Sequence, residues 1–247
     1  MPIRTPRPAK NLRRHGLARV LSKMGVASRT EASRWIEAGR VAVNGRVQRD
    51  PEFPTAQDSD RIEVDGREVG SAPRVYLMLN KPRGLVTTAH DEHGRDTVFR
   101  CLDDPSLPTV QPVGRLDKAS EGLLLFCNDP EWAARITDPM IGPDKTYHVQ
   151  VDCIPDETLL ARLIAGIDCD GERLSAKSAT LLRHGAKNAW LEIVLDEGRN
   201  RQIRRLLASQ EIGVLRLLRI AIGSLQLGKL AKGTWRVLSD AEIGALA

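Results

Sequence analysis

The chain lacks most of the signatures that would assign it early. Its four cysteines, Cys101, Cys127, Cys153 and Cys169, show no C-x-x-C spacing and no companion histidine pattern. No metal or dithiol motif is therefore read from them, and Cys127, which lies against an apolar run, is expected as a buried free thiol. His90 and His93 flank Asp91 and Glu92, but a polar surface loop is a better reading of that segment than a metal site. No apolar run approaches the roughly 20 residues that a membrane span needs, and no signal-peptide apolar region is present. The expectation is a soluble protein of a reducing cytoplasm, monomeric by default, without metal. Acidic residues are absent from residues 1–16, which hold three prolines and five Lys or Arg. That composition suggests a disordered basic arm. A transit peptide shares the arginine richness, but the segment is poor in serine and in amphipathic pattern.

What is present begins with the distribution of charge. The net charge is +5 over 247 residues. Residues 1–40 carry ten Lys or Arg against Glu31 and Glu37, a net +8, which leaves −3 on residues 41–247. A basic N-terminal segment on a nearly neutral body points to a polyanion, nucleic acid above all. The basic residues continue into a helical pattern, where a merely solvated tail would not need to. Leu17, Val20, Leu21 and Met24 recur at helical spacing and Gly25 ends the run. Ser28 then offers an N-cap with Glu31 three residues on, opening a second helix through Ala32, Trp35 and Ile36. The stretch from Val41 to Val47 reads as two short strands around the Asn44-Gly45 turn, and residues 60–66 as an alternating strand.

Two short helices, a hairpin and a strand, with Arg19, Arg29, Arg34 and Arg40 on or beside the helices, resemble the S4 RNA-binding domain. The resemblance rests on L-A-R-V-L-S-K-M-G-V-A-S-R-T-E-A and I-E-A-G-R-V-A-V-N-G, and covers residues 17–69. It implies cations on a helix face meeting phosphates of structured RNA.

Residues 70–74 read as a linker, and residues 75–247 as the larger domain. Its central stretch is Gly114-Arg-Leu-Asp-Lys-Ala-Ser-Glu-Gly-Leu-Leu-Leu-Phe126. A polar turn between two glycines leads into an apolar run bounded by turn residues, the pattern of a buried strand. Asp117 thus sits at the mouth of that strand. Such a carboxylate is held ionised by a cation, pushed toward neutrality by burial, or used simply as a turn residue. Strands are also expected over residues 75–79, 145–151, 189–195, 215–219 and 225–227. Helices are expected over 131–136, 158–164 and the later part of 197–207, while 88–112 is expected to be irregular. Strands outnumber helices without βαβ alternation, so the fold class is α+β with a mixed, mainly antiparallel sheet.

Three motifs share this domain: Asn80-Lys-Pro-Arg-Gly84, the Gly114–Phe126 run, and Glu197-Gly-Arg-Asn-Arg-Gln-Ile-Arg-Arg205, with Lys145-Thr-Tyr147 between the last two. In this order, behind an S4-like domain, they resemble the RsuA/RluB/RluE/RluF family of ribosomal RNA pseudouridine synthases. The resemblance implies isomerisation of uridine to pseudouridine in RNA, with no metal or organic cofactor. It puts the catalytic aspartate on Asp117, the active-site tyrosine on Tyr147, the cation that pairs with the aspartate on Arg204, and the arginine that holds the duplex open on Arg115. Lys81, Arg199 and Arg201 join the candidate RNA contacts. The base must leave its stack to react, a carboxylate can act at the sugar, and a tyrosine ring can stack on the base. An arginine is a planar, permanently charged partner for a carboxylate.

Ser120-Glu121-Gly122 departs from the family's commoner Thr or Ser before that glycine, past the aspartate. The motifs lean slightly toward the large-subunit branch, on free ribosomal RNA or an assembly particle. The alternative from another class is a non-catalytic S4-type RNA-binding or assembly factor, which would need none of Asp117, Tyr147 and Arg204. A methyltransferase joined to an S4 domain would need a Gly-rich cofactor loop after a strand, and none is found.

Overall fold

The computed structural model of the protein describes residues 14–89 and 91–246. Most of the expected basic arm and His90 lie outside the described residues. The described chain divides into two compact units, one of residues 14–74 with the short Pro108–Val110 segment, the other of the remainder.

The smaller unit follows its sequence pattern closely. Helix α1 (Leu17–Lys23) ends at Met24, and Gly25, at φ +73°, turns the chain where a side chain would be strained. Helix α2 (Arg29–Glu37) starts at Ser28, whose hydroxyl accepts from the Glu31 amide at 3.2 Å. Strands β1 (Val41–Val43) and β2 (Arg46–Gln48) meet through Asn44-Gly45, both with positive φ, as a two-residue hairpin of right-handed twist requires. Strand β3 (Ile62–Val64) pairs with β1 and turns through Asp65-Gly66 into β4 (Arg67–Glu68). Leu17, Val20, Leu21, Ala32, Ile36, Val41 and Ile62 form the core of this unit, all essentially inaccessible to solvent. Arg19, Arg29, Arg34 and Arg40 are exposed.

The larger unit is built on one nine-stranded sheet. Its strands are β5 (Tyr76–Lys81), β6 (Gln111–Val113), β7 (Glu121–Cys127), β8 (Lys145–Val151), β9 (Ser178–His184), β10 (Ala189–Leu195), β11 (Val214–Ile222) and β12 (Trp235–Val237), with Leu225–Gln226 folded back on β11. The order is β9-β10-β8-β11-β7-β5-β12, with β6 also on β7. Every pairing is antiparallel except that of β11 with β7, so the sheet is mixed and mainly antiparallel as expected. All seven residues of β7 are buried, which is why its sequence is a continuous apolar run after Glu121-Gly122. Helices α3 (Pro130–Thr137) and α6 (Asp240–Ala245) accompany one face. There Trp132, Ile136 and Leu246 pack on Met78, Leu123, Leu125 and Ile222. Cys127 is buried and outside any disulfide, its thiol donating to the Asp129 carbonyl at 3.2 Å. Helix α4 (Glu157–Ala165) precedes an Ile167–Leu174 ribbon, and α5 (Gln202–Ala208) precedes β11.

The single parallel join is also where backbone comes closest to backbone. Leu218 and Arg219 of β11 sit opposite Glu121 and Gly122 of β7. Gly122 has φ +101°, and a Cβ there would collide with the carbonyl oxygen of Arg219 and lie 2.9 Å from its amide nitrogen. Both a left-handed φ and a rigid backbone neighbour resist any side chain. Gly122→Ala is expected to cost about 3 kcal/mol or more, read as a lowered denaturant midpoint. An unchanged midpoint would mean that this close approach is dispensable.

Glu121 at the same join is nearly fully buried and ion-paired to Arg216 at 3.0 Å and Lys232 at 2.5 Å. Burial pushes its carboxyl up, but the hydrogen bonds and charges of Arg216 and Lys232 outweigh that and hold it below the usual glutamate range. The residue that departs from the family's commoner pattern is thus a structural clasp between strands.

Candidate active site

Asp117 lies on a turn whose backbone carbonyls are tied down from two sides. The Ser120 amide donates to the Asp117 carbonyl at 3.0 Å, and the Gly84 amide to that of Lys118 at 2.8 Å. Thr87 Oγ1 donates to the Leu116 carbonyl at 2.7 Å. Lys81 closes the arrangement from beneath. Its side chain is wholly buried, and Nζ donates to the carbonyls of Pro82, Asp117 and Ser120 at 3.1, 3.2 and 2.9 Å. This corrects the expectation that Lys81 contacts RNA: the ammonium is spent on three main-chain oxygens that nothing else at this depth could satisfy in full. Burial lowers its pKa to about 8, against the raising charges of Asp117, Cys101 and Glu121. Lys81 thus ties the Asp117 turn down by its main chain.

Across the join, Tyr147 stands in the middle of β8, opposite Ile193 of β10 and Arg219 of β11. Residues 145, 147, 149 and 151 alternate inward and are buried, and the intervening ones are half-exposed. The loop before α5 is fixed by buried Gln202, whose amide donates to the Ser175 carbonyl at 2.9 Å and to Glu197 at 2.7 Å. That loop brings Arg201, at φ +48°, to 3.6 Å from Asp117 Oδ2. A non-glycine residue in the left-handed region beside a carboxylate is the kind of strain that functional sites retain.

The pairing expected of Arg204 therefore falls to Arg201. Arg204 points its Nη1 and Nη2 to the carbonyls of Val214 and Ala119 at 3.4 and 3.3 Å, because its position on the first turn of α5 lies beneath the Asp117 turn. It is close enough for the charges to interact: burial lowers its pKa first, Arg201 adds to this, and Asp117 opposes it.

Asp117, Tyr147, Arg115, Arg199, Arg201 and Arg204 all line one cavity of about 570 Å³, large enough for a nucleotide. Arg115 is exposed at its edge. Arg199 is bound to Glu197 at 2.7 Å and Glu172 at 2.8 Å, so its charge is largely neutralised. In the smaller unit, Arg40 is held by Asp65 through two hydrogen bonds of 2.9 and 2.5 Å and lies 5.1 Å over the Trp35 ring. Two buried cations of the cavity, Lys145 and Arg219, are not among the site residues expected from the sequence, although Lys145 lies within a motif. A signal existed for the second: Leu217, Arg219 and Ala221 share one face of a strand, so the arginine occupies a buried register position. Among the described residues no cluster of His, Cys, Asp or Glu is suited to a metal ion, and no helix is long and apolar enough to cross a membrane.

A carboxylate, a buried tyrosine and several cations around one nucleotide-sized cavity, in a chain that also holds an S4-like unit, define an RNA-modifying enzyme. The family described as RNA pseudouridylate synthase matches residues 75–209, and the S4 domain matches residues 16–56. An RNA pseudouridine synthase of Aquifex aeolicus is 39% identical over 228 residues, covering 92% of this chain and 91% of that one. The ribosomal large subunit pseudouridine synthase B of Bacillus subtilis is 36% identical over 233 residues, covering 93% and 94%. A crystal structure of a pseudouridylate synthase superposes with a TM-score of 0.67 at 29% identity, over 94% of this chain and all of that one. The chain belongs to the RNA pseudouridine synthase family, and it is an enzyme of that class.

Proposed function

We propose that the protein converts a specific uridine of large-subunit ribosomal RNA to pseudouridine, with Asp117 as the catalytic carboxylate and the target nucleotide displaced into the 570 Å³ cavity. The observation that carries the reading is the convergence of Asp117, Tyr147 and five arginines on that one cavity. The large-subunit assignment is supported by the name of the Bacillus subtilis relative. A base inside a duplex is out of reach of such a cavity, so the nucleotide must be unstacked. Tyr147 offers a ring face to the base. Asp117 acts at the ribose, by attack on C1′ or by removal of the C2′ proton. Arg201, 3.6 Å from its carboxylate, and Arg204, on the Ala119 carbonyl, keep it placed, and Arg115 at the cavity edge supports the opened helix. The S4-like unit supplies RNA affinity through Arg19, Arg29 and Arg34, a contribution that weakens with salt.

Tritium release from RNA labelled at uridine C5 tests the reading. Transcripts of the large-subunit RNA are expected to release label, and small-subunit transcripts to release none. Release from the small-subunit RNA alone would overturn the substrate assignment. Binding without release, from either RNA or from partly assembled particles, would overturn the catalytic one.

A further inference from the structure

Two cations within the cavity have no part in the reading above. Lys145 opens β8 and Arg219 lies in β11, and each is more than nine-tenths buried. Lys145 shares a strand face with Tyr147, and Arg219 is the residue opposite Tyr147 on the neighbouring strand. Arg219 Nε donates to the Leu123 carbonyl at 2.7 Å, while its Nη2 is buried with no hydrogen-bond partner. The Lys145 side chain enters none of the hydrogen bonds or ion pairs among the described residues. Its pKa is lowered, by burial first and by the charge of Arg219 second, with Asp144 and Asp196 opposing.

A buried cation without acceptors is costly to a fold. Lys145, with no side-chain partner, and Arg219, with Nη2 unfilled, both line the cavity and mark a place where acceptors arrive with the ligand. The phosphates of a displaced nucleotide remain joined to the RNA chain, where the exposed Arg115 and Lys118 can meet them. The base is the part that reaches buried groups. We infer that Lys145 and Arg219 form a receptor for the carbonyl oxygens of the displaced uracil and hold its negative charge while it is detached from the ribose. The inference rests on the uridine-isomerising reading.

The chemistry places the charge there. When the C1′–N1 bond breaks, its electron pair goes to the base, leaving a uracil anion with charge spread over N1, O2 and O4. The ring turns and C5 bonds to C1′ as the Asp117 carboxylate leaves that carbon, or as Asp117 returns the proton it took from C2′; the C5 proton departs and N1 is protonated, so atoms and charge balance. The two cations exchange no proton in these steps. They act electrostatically, most strongly when the base is an anion, which is the condition for lowering the barrier. Both carry donors only. They suit the oxygens of uracil and would confront the amino group that cytosine presents in place of O4.

The test compares the full-length protein with Lys145→Met and Lys145→Arg by single-turnover conversion at saturating enzyme, equilibrium RNA binding and thermal melting. Lys145→Met is expected to slow conversion about 100-fold with RNA affinity unchanged. Its melting temperature should rise by about 2–4 °C, because an unpaired buried charge gives way to an apolar side chain of similar length. Lys145→Arg should recover most of the rate. A slower enzyme that also melts earlier would make Lys145 a core residue and overturn the inference. So would affinity that falls in step with rate. In that case methylphosphonates flanking the target, by abolishing the difference between the proteins, would assign the pair to a phosphate. Equal rates for Lys145→Met and wild type would overturn it outright. Failure of the wild-type protein to convert any uridine would instead overturn the uridine reading, before any variant is compared.

Discussion

Asp117→Asn stops turnover, lowering the single-turnover rate by about 10⁴-fold or more, and leaves RNA affinity near the wild-type value. The amide is nearly the same size as the carboxylate, and the turn around it is held by main-chain bonds from Ser120 and Gly84 and by Lys81 and Thr87, none of which involve the Asp117 carboxyl. What the change removes is the anion, and with it both nucleophile and base. It also leaves Arg201, 3.6 Å away, without its partner, a small loss at a half-exposed guanidinium. On the proposed reading, RNA affinity rests on exposed cations elsewhere, chiefly in the S4-like unit. Tritium release measured beside a binding isotherm separates the two properties. Joint loss of both would mean that Asp117 supports the fold or the RNA contact, and an active asparagine variant would move catalysis to another residue.

Lys81→Met is expected to lose about 2–4 kcal/mol of stability and most of the activity. The substitution leaves the carbonyls of Pro82, Asp117 and Ser120 without their shared donor, and the relief of an unsolvated charge returns only part of the loss. The pH dependence gives a sharper check. Lys81 titrates at about 8 in the folded protein against 10.5 when exposed. Below pH 8 it is protonated in both states, and the cost of burying the charge is present in full. Between about 8 and 10.5 the unfolded chain binds the proton and the folded protein does not, so folding gains stability as pH rises. Wild type should therefore gain on Lys81→Met between pH 7.5 and pH 9.5, values chosen on either side of about 8, in denaturant titrations. A constant gap would show that the ammonium is not held in the buried state described.

How much of this was legible beforehand depends on whether the signal was local. The α2 cap at Ser28, the Asn44-Gly45 hairpin and the apolar β7 each depend on neighbours in sequence, and each was readable. The edge strand β9 went unread because five of its seven residues are exposed and give no apolar alternation. Helix α6 went unread although Ser239 and Glu242 form a complete capping box, since the segment buries no side chain within the helix itself. At the site, residue types were legible and partnerships were not. Lys81 and Arg204 both looked like cations for RNA or carboxylate, yet each serves main-chain carbonyls distant in sequence, 39 and 85 residues away. Only the tertiary fold brings such pairs together. The buried register of Arg219 follows from strand alternation, but its unpaired Nη2 does not.

The lone parallel join has a consequence for how the larger unit comes into being. One side of it, β5, β6 and β7, carries the Asp117 turn, and the other, β8 to β11, carries Tyr147, Arg204 and Arg219. The first side is completed only by β12, synthesised after everything on the second. The second side is one continuous stretch, residues 145–222, but the first is not, so no single cut yields two self-sufficient halves, and melting should show one transition shared by structure and activity. On a translating ribosome the aspartate emerges about a hundred residues before Arg219, and the cavity lacks its last wall until β11 is made. An enzyme assembled in this order cannot act on a uridine until nearly all of its body has been made, although its S4-like unit is complete early.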